Sequence, residues 1–140
     1  MREIKFRGLS TDGEGWVYGD LAKYMNGEPI IMPLSYFATR DFCNKDQDGN
    51  LVIEKEIAVG GFFFVLPESV GQFTGLKDIN GTDIYEGDVI TYNFLAFESY
   101  NSFNSKIFWD EFMWLTDDHS LNRLSNIEVI GNIHENPELL

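Results

Sequence analysis

The sequence has one cysteine, Cys43, and two histidines, His119 and His134. A single cysteine forms no internal disulfide and leaves no CxxC pair for zinc or redox chemistry. The histidines lie too far apart to make a helical metal pair, and the thiol usage fits a reducing cytosol. Basic residues are also scarce. Ten Lys and Arg stand against 23 Asp and Glu, for a net charge of −13. Nucleic-acid and anionic-membrane binding both need clustered cations, so direct contact with either is not expected. No long apolar run occurs. The longest, Gly60 to Leu66, is far short of the roughly 20 residues that span a bilayer. The start, Met1 to Arg7, mixes charge with alternating apolar residues and has no signal-like apolar stretch. A cytoplasmic protein without an anchor is expected.

Enzyme signatures are missing too. There is no Gly-x-Ser-x-Gly elbow, and no Gly-Lys-Ser/Thr follows Gly71 and Gly75. Cys43 has no His nearby in sequence and reads as a small buried hydrophobe. Asp117-Asp118-His119 places a base beside two acids, but adjacent residues do not converge on one point.

What is present is apolar and aromatic. Hydrophobic residues make up 44% and aromatics 15% of 140 residues, enough for one compact core or two small ones. The periodicity is mostly two, which predicts strands. Ile4 and Phe6 alternate with charged neighbours. Trp16–Gly19, Pro29–Met32, Leu51–Ile57, Phe62–Leu66, Val89–Phe94 and Ile127–Ile133 follow as strands. Phe62–Leu66, apolar on both faces, reads as a buried strand. Asn26-Gly27, Asp48-Gly49-Asn50 and Asn80-Gly81 are turn signals. Pro67–Val70 predicts a single helical turn with proline at its start. Residues 97–105, rich in Asn and Ser, read as a loop. Lys106–Leu115 predicts one or two strands broken near Asp110-Glu111. Asp117–Leu124 predicts a short helix with Asp117 as N-cap and Leu121 and Leu124 inward.

The acidity is uneven. Residues 1–77 carry 11 acids and eight bases, whereas residues 78–140 carry 12 acids and only Lys106 and Arg123. This hints at two differently built halves; the boundary is drawn where Pro67–Val70 interrupts the apolar run, with a small antiparallel N-terminal sheet over 1–66. Residues 67–140 are expected to form an SH3-like or OB-like small β-barrel. The whole is expected to be mostly β with one or two short helices.

Two acidic clusters need weighing. Asn44–Leu51 has oxygen ligands at the first, third and fifth positions of a calcium loop, but the twelfth position is Lys55 where a bidentate glutamate belongs. A hairpin turn explains it better. Asp83, Glu86 and Asp88 form a trio that in principle holds magnesium for phosphoryl chemistry. The alternative is that Asp88, after Gly87, uses its oxygens on backbone N–H groups in a turn. The turn is the preferred reading, so no catalytic, cofactor-binding or metal residue is assigned and no cofactor is expected.

Three segments taken together point further. They are Met1-Arg2-Glu3-Ile4-Lys5-Phe6-Arg7, then Val70-Gly71-Gln72-Phe73-Thr74-Gly75-Leu76-Lys77-Asp78 running through Asn80-Gly81 to Ile84-Tyr85-Glu86-Gly87-Asp88. The third is Glu128-Val129-Ile130-Gly131-Asn132-Ile133-His134-Glu135-Asn136-Pro137. In this order and spacing they resemble the YopX family of bacteriophage and prophage proteins. The resemblance implies a mostly-β protein with a barrel-like C-terminal part, acting in a bacterial cytoplasm. It implies no activity and brings no catalytic residues. Within the motif, the glycines suit turns and close approach, Phe73 suits the core, and Gln72 or Thr74 suits buried backbone groups.

The expected function is a non-enzymatic accessory protein acting through protein–protein contacts and self-association. Its partners are a second copy of itself and a host or phage protein with a basic surface. Two alternatives stand beside it: an acidic DNA mimic, and a metal-dependent phosphodiesterase using Asp83, Glu86 and Asp88.

Overall fold

Turn chemistry delimits the strands. The computed structural model describes residues 3–33, 37–59, 61–96, 99–110, 113–116 and 119–140, with the backbone alone at 37–45, 51–59, 94–96, 99–101 and 122. Gly27, Gly49 and Gly81 all take positive φ, at +86°, +83° and +82°, in the three predicted turns. In the first, Asn26 Oδ1 accepts the Glu28 N–H. In the second, Asp46 Oδ1 accepts N–H groups from Asp48 and Asn50. Asp46 thus serves the hairpin between β4 (Phe37–Lys45) and β5 (Leu51–Val59), the reading preferred over a calcium loop.

Six strands make the main sheet, in the order β6-β3-β2-β1-β7-β8. They are β1 (Phe6–Leu9), β2 (Trp16–Lys23), β3 (Pro29–Met32), β6 (Phe63–Phe64), β7 (Gly71–Lys77) and β8 (Asp83–Tyr85). β1 pairs antiparallel with β2, Arg7 opposite Tyr18, and with β7, Phe6 opposite Gln72. This sheet takes strands from both sides of residue 66. The predicted turn at Pro67 is a 3-10 turn, Pro67–Ser69, leading into β7.

The second sheet has three strands in the order β10-β9-β13: β10 (Ser99–Lys106), β9 (Asp88–Ala96) and β13 (Ser125–Asn132). β11 (Phe108–Asp110) and β12 (Met113–Leu115) form a small hairpin. The mostly-β expectation holds, and the only helices among the described residues are short 3-10 turns. No closed barrel forms in the C-terminal part. Closure needs every strand edge paired around the ring. Here β7 and β8 are taken into the first sheet by β1, and the outer edges of β10 and β13 do not pair with each other.

Two apolar clusters support the sheets. Val17, Ile31 and Val65 pack under the first, with Phe6, Phe63 and Val70 against them. Ile84, Ile90, Tyr92, Ile107, Trp114 and Leu121 form the larger one. Burying each such isoleucine contributes about 2 kcal/mol. The Phe62–Leu66 run is an edge element and not a doubly buried strand: Phe62 and Leu66 are exposed and Val65 alone is fully buried. Residues 97–105 differ as well, since Ser99–Lys106 is a strand. The predicted helix is a 3-10 turn at Leu121–Arg123, with Leu121 buried as expected. Its proposed cap, Asp117, lies outside the described residues, as do Asp118 and Glu111 and the side chain of Cys43.

Candidate functional site

β1 carries the residue around which the main cleft is built. Arg7 sits on a strand whose other face, Phe6 and Gly8, packs on the core beside Val65. By strand alternation Arg7 points the opposite way, toward a layer that would expose a charge. Trp16 and Tyr18, two residues apart on β2, and Tyr85 on β8 cover that face. The guanidinium carbon lies 4.7 Å from the Trp16 ring centre and 5.1 Å from that of Tyr85. Arg7 Nη1 is 2.6 Å from Asp88 Oδ1, and Nη2 donates to the Glu86 carbonyl at 3.1 Å. Both partners of this ion pair are almost fully buried.

Asp88 completes the junction. Its Oδ2 accepts the Tyr85 N–H at 2.8 Å, which closes the turn between β8 and β9. Burial pushes its carboxyl above the ordinary value, against the attraction of Arg7 and the N–H bond. At the rim, Asp83 lies 2.7 Å from Lys5 and 2.5 Å from Lys77, and Lys5 also reaches Glu3 at 3.3 Å. The Asp83 carboxyl is pushed up by burial but held below its ordinary value by the two lysines. Asp83 in turn raises Lys5, chiefly through their hydrogen bond. Burial also pushes the Tyr85 hydroxyl up to about 12. The resulting cleft is about 580 Å³.

The trio Asp83, Glu86 and Asp88 therefore does not converge. Asp83 is paired with two lysines at the rim, Asp88 with Arg7 below, and Glu86 contributes its carbonyl. Among the described residues no three His, Cys, Asp or Glu side chains are grouped to hold a metal ion. No Ser, Cys or His is among the described residues lining the cleft. Its charged side chains Arg7, Asp88, Lys5 and Asp83 are ion-paired with one another, while the buried Arg7 Nε and Trp16 Nε1 have no hydrogen-bond partner among the described residues.

A second junction was only partly legible. Asp78 accepts N–H groups from Asn80 and Thr82 on Oδ1, and from Val129 of β13 on Oδ2. The adjacent Ile79 N–H donates to the Ile127 carbonyl at 2.9 Å. Burial raises the Asp78 carboxyl, but these bonds outweigh it and leave it lowered. The motif residues behave as read. Phe73 is buried, Thr74 Oγ1 donates to the Ile84 carbonyl at 2.8 Å, and Gly75 has φ of +87°. Gly71 allows close approach: a Cβ there would lie 2.4 Å from the Glu86 carbonyl oxygen. What sequence reasoning missed is Arg7. The available signal was the Trp16–Tyr18 spacing, which places two aromatics over one face.

The outer edges offer a different kind of site. β10 pairs with β9 on one side, and among the described residues no strand pairs with its other side. Among the described residues neither β4 nor β5 pairs with a third strand. Tyr24, Phe62 and Phe64 form an aromatic group, with ring centres 5.2 to 5.5 Å apart, near fully exposed Met25.

Fold and cleft together define a mostly-β protein whose six- and three-stranded sheets are joined by a buried Arg–Asp pair. The chain belongs to the YopX protein family, which matches residues 5–140. In fold it is similar to protein EF1440 from Enterococcus faecalis, a crystal structure with 24% sequence identity and a TM-score of 0.60. The match covers 100% of this chain and 99% of that one. No curated protein matches the chain. No helix among the described residues is long and apolar enough to cross a membrane.

Proposed function

We propose that the protein is a non-enzymatic accessory protein of a bacteriophage or prophage, acting in the bacterial cytoplasm through protein–protein contacts that include self-association. The observation that carries this reading is the β10 edge, eight residues long and, among the described residues, unpaired on one side. An open edge presents backbone N–H and C=O groups that another strand can bind. The cleft supports the non-enzymatic part, because its charged groups are engaged with each other.

The two alternatives find less support. A magnesium site needs Asp83 and Asp88 free to converge on one ion, and both face cations instead. A DNA mimic needs acids arrayed outward, whereas Asp78, Asp83 and Asp88 of the acidic half serve turns and ion pairs. A partner with a basic surface stays compatible with the net charge.

Light scattering from micromolar to millimolar concentration tests self-association. A concentration-dependent rise above the 16.1-kDa monomer mass is expected. Added salt should strengthen the rise, since each copy carries −13 and screening weakens their repulsion. A strict monomer throughout that range would contradict the reading.

A further inference from the structure

The geometry at the start of β9 fixes which way the β10 backbone points. Gly87, with φ of +84°, donates its N–H to the Ile107 carbonyl at 2.9 Å. Ile107 N–H donates to the Asp88 carbonyl, also at 2.9 Å. This is a bulge with a left-handed glycine at its first position. Antiparallel ladders alternate bonded and non-bonded pairs. Counting from Ile107 and Asp88, the bonded pairs are Ser105 with Ile90 and Phe103 with Tyr92. The N–H and C=O groups of Ser102, Asn104 and Lys106 therefore point away from β9, and all three residues are exposed.

Proteins usually blunt such an edge with charge, proline or a bulge. β10 has no proline and no acid, and Lys106 is its only charge. Residues 99–109 are the longest acid-free run in the half after residue 77. Two copies carrying −13 each repel, so a contact between them is least opposed where acids are absent. Phe103 adds an apolar component. It is 40% exposed at the sheet edge, and its ring lies 5.8 Å from that of Tyr92 in the larger core.

We propose that β10 pairs antiparallel with β10 of a second copy, about a two-fold axis at Phe103. This rests on the self-association reading and names its surface and register. Ser102 then stands opposite Asn104 of the second copy, and Asn104 opposite its Ser102, each pair exchanging two backbone hydrogen bonds. Phe103 meets its symmetry mate at a non-bonded position, where Cα atoms approach to about 4.5 Å. The two rings extend the cores across the contact, and the three-stranded sheets join into one of six. An interface of this kind is isologous and closed. A contact this small implies affinity in the micromolar range.

Disulfide trapping tests the register, because about 4.5 Å between Cα atoms permits a bridge. In a Cys43→Ser background, Phe103→Cys should give a linked dimer on mild oxidation, and Met25→Cys, in the exposed β2–β3 turn, should not. Asn104→Pro removes an outward N–H and leaves the β9 ladder intact. In sedimentation equilibrium it should weaken the dimer about tenfold or more relative to Asn104→Ala, which loses the same side-chain bond to the Leu139 carbonyl, at 3.2 Å, but keeps the backbone N–H. If the wild type self-associates but Phe103→Cys does not crosslink above the Met25→Cys control, this pairing is wrong and another surface is used. The same conclusion follows if a folded Asn104→Pro dimerises as tightly as Asn104→Ala. A wild type that stays monomeric would overturn both the pairing and the broader reading.

Discussion

Arg7 and Asp88 show how a single residue pair positions two sheets. Arg7 comes from β1 of the first sheet and Asp88 opens β9 of the second. Taking both charges out of water is costly, and removing one partner leaves the other buried and uncompensated. Asp88→Asn, which can still accept the Tyr85 N–H, is expected to cost about 3 kcal/mol in denaturant unfolding, and Arg7→Met combined with Asp88→Asn should cost less than the sum of the two single changes. Losses that simply add would contradict a coupled pair. The other acids work through pH. Burial raises the carboxyls of Asp78 and Asp83, but N–H bonds and lysines outweigh it and leave both lowered. A lowered folded-state carboxyl adds stability that is present above the unfolded value and lost as pH falls through the folded one. Asp88, raised by burial, contributes in the opposite sense. The melting temperature should therefore fall as pH drops below about 4, and Asp83→Asn should flatten part of that fall. An equally steep acid limb in Asp83→Asn would count against the Lys5–Asp83–Lys77 arrangement.

At the scale of elements, legibility followed the source of the signal. Turns were legible because Asn-Gly and Asp-Gly carry their backbone requirement in the residues themselves. β1 and β13 were legible because apolar and polar residues alternate in their sequences, and β3 and β9 because they are short apolar runs entered from turn signals. β10 was not: Ser-Tyr-Asn-Ser-Phe-Asn-Ser-Lys has the composition of a loop, and it becomes a strand because β9 offers an edge to pair with. The 3-10 turn at Leu121–Arg123 replaced a longer helix, yet its inward leucine was correct, since that depends only on local spacing. The barrel expectation failed for a topological reason. Nothing in residues 71–85 states that β7 will pair with β1, more than 60 positions earlier in the chain. The carboxylate trio was legible as a turn at Asp88, where the glycine before it gives the cue. Its partner Arg7 was hidden, because a charged residue in an alternating strand reads as solvent-facing until the aromatics of β2 and β8 are placed over it.

The whole molecule combines a strongly acidic surface with a neutralised interior junction and an acid-free edge. Much of the charge after residue 77 is structural: Asp78 latches the β7–β8 turn to β13, Asp83 holds two lysines and Asp88 holds Arg7. The proposed contact uses the boundary of the second sheet. Its most direct test is amide hydrogen exchange along β10 as a function of protein concentration. Ser102, Asn104 and Lys106 amides should gain protection as concentration rises, while Phe103 and Ser105, already bonded to β9, stay protected throughout. Outward amides that exchange equally fast at micromolar and millimolar concentration would contradict the account.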